Sequence, residues 1–231
     1  MESAFSFSGA FVDRHGTEQI TWRVIPSVER QRPGVIGYEI ETTIRGVTFW
    51  GYDFDDLEPR DPGQATAAGL PLSRLSGELV DCMITGELPC TIAVGGQRAP
   101  ARVTFTLKLP STDRTPERRN PNPKNLHLSL IVGDQRCDVD DDWFEDGILR
   151  LDHAASRLGA RLVCCATCLY SDYSPGGHGL MGMRCHRGAK EQYLAVRSKL
   201  DYWGVPVTEE VMETYLCPEY ERRIPGTGYR G

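Results

Sequence analysis

Between Ala101 and Leu109 every odd position is apolar and every even one polar, in the order Ala-Arg-Val-Thr-Phe-Thr-Leu-Lys-Leu. A period of two marks a strand with one face in a core and the other in water, and it excludes an amphipathic helix over that span. Leu126 to Leu130 repeats the pattern, with His127 and Ser129 on the outer face. Less regular strand candidates are 4–12, 19–25, 35–44, 47–54, 78–84 and 88–94, divided by His15-Gly16, Pro33-Gly34, Thr85-Gly86 and Gly95-Gly96. Short strands separated by turn residues predict an antiparallel sandwich or barrel. Two segments are predicted to be loops, because proline cannot donate to a central ladder: 58–71, with Pro59, Pro62 and Pro71, and 110–124, with Pro110, Pro116, Pro121 and Pro123. Arg114, Arg118 and Arg119 in the second are read as solvated loop charge.

After Asp138 the periodicity lengthens. Trp143, Phe144, Ile148, Leu151, Ala155 and Leu158 follow helical steps behind an acidic run, with Gly159 as a stop, and predict a helix over 141–158. The acidic run fails as a calcium loop, since Trp143 stands where the loop needs glycine and Leu149 where it needs glutamate. A short strand is expected over 161–164, a helix over 189–202, and a second helix from Thr208 to Leu216, capped by Thr208 and begun by Glu209 and Glu210. The fold class is therefore α+β: a β-rich, sandwich-like domain over 1–139 and a small α+β unit over 140–231.

With 231 residues, 40% of them apolar and 25% charged, the chain has the ordinary balance of a folded globular protein and the length to bury a core without disulfides. No stretch nears the roughly 18 consecutive apolar residues of a membrane span, and the start lacks a basic-then-apolar leader, so a soluble, cytoplasmic protein is expected. The net charge of −6 opposes phosphate binding and argues against a nucleic-acid partner. It is uneven, −7 over residues 1–159 and +1 over residues 160–231.

The cysteines are uneven too. Cys82, Cys90 and Cys137 are scattered and are read as small core hydrophobes, whereas Cys164, Cys165, Cys168, Cys185 and Cys217 crowd the last third. Clustered cysteines in a cytosolic chain point to a metal or redox site before they point to disulfides. The two-residue gap between Cys165 and Cys168 lets a tight turn aim both sulfurs at one ion. Cys185 and Cys217 complete a four-thiolate set, which suits a closed structural zinc site. Cys185 and Cys217 come singly, unlike the second pair of a paired-knuckle motif. Cys164 and His186 are alternative ligands, and an iron–sulfur cluster is an alternative occupant compatible with Cys217-Pro218. A thioredoxin-like redox pair is disfavoured, because turn residues rather than a helix follow Cys168.

Between these cysteines, Tyr170 to Gly179 forms a loop whose Tyr170, Asp172, Tyr173 and His178 could meet a ligand, though closing over a metal knuckle accounts for them better. Ser171, Asp172 and His178 do not make a catalytic triad, for there is no nucleophile turn. The tail from Glu219 to Gly231 lacks the features of a phosphate loop and is either frayed or folded back on Tyr229.

Three stretches, Cys165-Ala-Thr-Cys168-Leu-Tyr-Ser-Asp-Tyr-Ser-Pro, Met183-Arg-Cys185 and Glu213-Thr-Tyr-Leu-Cys217-Pro-Glu-Tyr-Glu-Arg-Arg-Ile-Pro-Gly-Thr-Gly-Tyr-Arg-Gly, together with Gly46 to Pro59, resemble an uncharacterised bacterial family, frequent in actinobacteria, that is known only as a domain of unknown function. The resemblance implies a cytoplasmic bacterial protein and no activity. From the residues themselves the expected function is a non-enzymatic binding or adaptor role toward a protein partner or small ligand, with zinc at Cys165, Cys168, Cys185 and Cys217. The rival is an enzyme with a catalytic zinc or iron–sulfur cluster and an inter-domain site using the 170–178 loop.

Overall fold

Gly9 and Gly86 face each other across neighbouring strands, and the room they leave is filled by aromatic rings. A Cβ on Gly9 would overlap the Trp22 indole, and one on Gly86 would overlap Phe105. Trp22 uses that space to donate its Nε1–H to the Thr85 carbonyl at 2.8 Å. These contacts lie at the centre of a large sheet in a computed structural model, which describes residues 5–32, 35–109, 126–173 and 182–229, without the side chains of 28–36.

The sheet comprises β1 (Phe5–Asp13), β2 (Gly16–Arg32), β3 (Val35–Ile44), β4 (Val47–Gly51), β5 (Glu58–Pro59), β6 (Cys82–Val94), β7 (Gln97–Leu109), β8 (Leu126–Val132), β9 (Gln135–Asp141) and β10 (Ala160–Leu162). Its order is β5-β4-β3-β2-β1-β6-β7-β8-β9, with β10 added beside β6. Every pairing is antiparallel. The β-rich, antiparallel expectation holds, and its hydrogen bonds run through one continuous sheet. In β7 the alternation does what its period requires: Val103, Phe105, Leu107 and Leu109 are buried. The expected turn at Thr85-Gly86 is absent. Residues 82–94 form one strand, because Gly86 serves close packing and not chain reversal.

Phe54 is the aromatic hub of the core. Its ring lies 4.8 Å from that of Trp22, 4.5 Å from Phe105 and 5.7 Å from Phe144. The bend that inserts it is closed by its own carboxylates: Asp53 accepts from the Phe54 N–H at 2.7 Å, and Asp56 from the Asp53 N–H at 2.8 Å. The segment after the bend is not wholly a loop as expected. Asp61 accepts from the Gln64 N–H and caps α1 (Pro62–Ala67), with proline in the first turn where no donor is missed. The other expected loop, 110–124, with Arg114, Arg118 and Arg119, lies outside the described residues.

Helix α2 (Phe144–Ser156) packs on β8 and β9 through Phe144, Ile148, Leu151 and Ala155. Gly159, at φ +72°, ends the turn that follows it. The acidic run falls mainly in β9 rather than in the helix, though the Asp141 carboxylate accepts from the Asp142 N–H ahead of α2.

The last third carries a second, three-stranded antiparallel sheet, ordered β11 (Ser171–Tyr173), β12 (Met183–Cys185) and β13 (Glu209–Val211). The predicted 189–202 helix is two short ones, α3 (Lys190–Leu194) and α4 (Lys199–Trp203), because Ser198 accepts from the Asp201 N–H and starts a new helix. The helix predicted over 208–216 is not formed. Glu209 and Glu210 are buried in β13, where Arg187 reaches Glu209 at 2.8 Å and Tyr38 donates to it at 3.2 Å, so tertiary partners override helix propensity.

Burial raises the Asp56 carboxyl from its ordinary value of 3.8 to about 6. A folded-state pKa above the unfolded one favours the folded state fully below about pH 4, and that contribution is lost as pH rises through about 6. Asp56→Asn keeps the acceptor oxygen without the charge. Urea titrations at about pH 4 and about pH 7 should show the wild type losing on the order of 2 kcal/mol relative to the variant. A constant difference between the two proteins would contradict the assignment.

Candidate metal centre

Cys165 opens a 3₁₀ turn, Cys165–Thr167, and Cys168 closes it by donating its N–H to the Cys165 carbonyl at 3.0 Å. This knuckle is pinned to the segment that leads to Cys217: the Cys165 N–H reaches the Tyr215 carbonyl at 2.7 Å, and the Ala166 N–H reaches that of Glu213 at 3.0 Å. Cys185 is the last residue of β12, and Cys217 starts a turn closed by the Tyr220 N–H at 3.2 Å. All four cysteines are buried and free of disulfides.

Three segments, the 165–168 turn, β12 and the turn at Cys217, bring these cysteines within electrostatic reach of one another. Burial pushes the Cys165 thiol well above its ordinary value, and charge on Cys168, Cys185, Cys164 and Cys217 would push it further. Burial also raises Cys185, with Cys217 adding to the rise, while Arg187 opposes it by donating to the Cys185 sulfur at 3.5 Å. Four buried thiols are a donor set of the kind that zinc or an iron–sulfur cluster accepts once they converge. Among the described residues, no three Cys, His, Asp or Glu side chains already stand grouped to hold an ion. Coordination would therefore require the thiols to turn toward one another.

The alternative donors are engaged elsewhere. Cys164 is fully buried in the core of the large sheet, its thiol pushed up to about 12 by burial and by Cys90. His186 is buried, with Nδ1 2.9 Å from the Pro206 carbonyl and Nε2 3.2 Å from the Tyr202 hydroxyl, and its ring stacks on Tyr193. Burial lowers its pKa to about 4, so the imidazole is neutral. Cys82, Cys90 and Cys137 lie in the large core, as expected of small hydrophobes.

The described part of the intervening loop is structural. Ser171 donates to the Cys165 carbonyl, bracing the knuckle. Asp172 is wholly buried, accepts from the Tyr193 hydroxyl at 2.8 Å and pairs with Arg223 at 3.4 Å. His178 and the remainder of the loop to residue 181 lie outside the described residues.

Sequence reasoning missed the tail's arginines. Arg222 grips both oxygens of Asp152 on α2 and donates to the Leu162 carbonyl at 2.8 Å. Arg161 meets the same carboxylate at 2.8 Å. Arg223 turns the other way, to Asp172 and the Ser171 carbonyl. The available signal was two adjacent cations in a unit of otherwise balanced charge. Beyond them the tail folds back: Tyr229 stacks on Tyr202 with centroids 4.7 Å apart, and Gly228, at φ +73°, lies against the Tyr193 ring.

Fold and site together define an antiparallel β-sheet protein with a cysteine-bearing α+β unit latched to it by its own C-terminal segment. Residues 5–171 match DUF6304, a family of unknown function, and the chain belongs to that family. No curated protein and no solved structure matches it.

The latch yields two expectations. Arg222→Ala leaves Asp152 with one guanidinium partner and should cost about 2 kcal/mol in equilibrium unfolding. Gly228→Ala places a methyl into the Tyr193 hydroxyl at a backbone angle that L-residues avoid. Amide exchange in 224–229 should accelerate in that variant while β6 and β7 keep their protection; unchanged exchange in the tail would contradict the packing described.

Proposed function

We propose that Cys165, Cys168, Cys185 and Cys217 hold one zinc ion in a closed, structural site, and that the protein acts by binding a partner and not by catalysis. The observation that supports this reading is the backbone pinning of the Cys165–Cys168 turn to residues 213–215, ahead of Cys217, and the pairing of Ser171 with Cys185, which brings three cysteine-bearing segments side by side. The small sheet and its two short helices have modest cores of their own, and a structural zinc ion can contribute on the order of 10 kcal/mol to folding. Arg187 beside Cys185 supplies positive charge where four thiolates and a dication would leave a net negative one. The enzymatic alternative gains little support from the polar side chains nearest the knuckle, since Asp172 and His186 are buried in structural hydrogen bonds.

Metal analysis of full-length protein purified without chelator and without oxygen tests the reading. One zinc per chain with no visible absorption is expected, and Cys165→Ser or Cys217→Ser should abolish stoichiometric binding while Cys82→Ser and Cys137→Ser leave it intact. A brown protein containing iron and labile sulfide would replace zinc with a cluster. Zinc retained in full after loss of Cys217 would overturn the ligand set.

A further inference from the structure

We infer that Cys90 and Cys164 form a second, separate thiol site: a pair positioned to close into a reversible disulfide between β6 and the strand end leading into the knuckle. The register places them. Strands β10 and β6 pair antiparallel with Ala160 opposite Val94, Arg161 opposite Ala93 and Leu162 opposite Ile92. The next step is held by the Val163 N–H on the Thr91 carbonyl at 2.8 Å, and the backbone at Cys164 is still extended, with φ −160° and ψ 172°. Two residues beyond the Leu162–Ile92 pair, Cys164 therefore comes opposite Cys90, on the same buried face. Because Val163 and Thr91 occupy a hydrogen-bonding position, the cysteines occupy a non-hydrogen-bonded one. There opposed Cα atoms approach to about 4.5 Å and side chains stand closest, within the range a disulfide spans.

Two further observations agree with the register. Both residues belong to the same core cluster, and the alternation along β6 puts Cys90 on the buried face with Leu88 and Ile92. Cys90 is also reachable, for it lines a cleft of about 230 Å³ with Phe5, Pro89, Thr91, Met212 and Tyr215. Cys164 is fully buried and is not part of that lining. That order, one accessible thiol backed by a resolving one, suits oxidation by a small peroxide. Hydrogen peroxide transfers one oxygen to the Cys90 sulfur, giving a sulfenic acid and water. The Cys164 sulfur then attacks the Cys90 sulfur, its proton leaves with the hydroxyl as a second water, and the S–S bond forms, so that two thiols are oxidised by one peroxide. Burial disfavours the Cys90 thiolate, which makes the reaction slow near neutral pH. The site does not depend on the metal reading, since neither cysteine belongs to the four-thiolate set.

Full-length protein should be incubated for hours with millimolar hydrogen peroxide near pH 8, alkylated, and mapped by peptide mass spectrometry before and after reduction. A reducible Cys90–Cys164 cross-link is expected, accompanied by a mass loss of two hydrogens and a higher midpoint of thermal unfolding. Both effects should vanish in Cys90→Ala and in Cys164→Ala. If either variant fails to fold, the wild-type peptide map decides alone. Overturning results would be Cys90 and Cys164 both recovered as alkylated thiols, or Cys164 found joined to Cys165, Cys168 or another cysteine while Cys90 stays reduced.

Discussion

Two buried carboxylates, Asp152 on α2 and Asp172 on β11, are each met by one of two consecutive arginines from the C-terminal segment. A buried carboxylate without a cation would be expelled or protonated, so Asp172 depends on the tail reaching it, while Asp152 is met by Arg161 as well as by the tail's Arg222. Burial raises both carboxyls even so, because little water reaches either site. Because adjacent side chains of an extended segment point to opposite sides, Arg222 and Arg223 address the large sheet and the small one at once. Neither half of the molecule provides this junction alone. The same segment then lays Gly228 and Tyr229 over Tyr193 and Tyr202, covering the aromatic core behind the knuckle.

The cysteine geometry follows from that junction. Backbone hydrogen bonds tie the knuckle at Cys165 to the chain at 213–215, the single-residue bridge between Cys168 and Arg222 ties it to the tail, and β11 and β12 carry Cys185 alongside. Buried cysteines from three segments are thereby carried on neighbouring stretches of chain. As neutral thiols they cost little there. Their full deprotonation would need a counter-charge, of which a metal ion supplies two, since the charge of Arg187 is shared with Glu209.

Much of the sheet was legible because its information is local. The 35–44 strand has the bounds the sequence suggests, the alternation in β7 reports its buried face directly, and Gly159 marks the end of the α2 region. What misled was residue type used for a non-local purpose. Gly86 reads as a turn but makes room for Phe105, and Glu209 and Glu210 read as a helix start but pair with arginines of β12 and its following turn. Asp61 before Pro62 was a readable cap signal inside a segment dismissed for its prolines. In the candidate site the four cysteines could be named from spacing, whereas Arg187, Arg222 and Arg223 matter only through partners far away in sequence. No period or spacing encodes such contacts.

In the arrangement proposed, the sulfurs of Cys165, Cys168, Cys185 and Cys217 surround one metal ion. X-ray absorption at the zinc edge of the full-length protein tests it most directly. The expected first shell is sulfur alone, four scatterers at about 2.3 Å, with no nitrogen or oxygen contribution. A shell mixing sulfur with nitrogen or oxygen at about 2.0 Å would contradict it, because it would bring His186 or a solvent oxygen to an ion that the closed site reserves for thiolates.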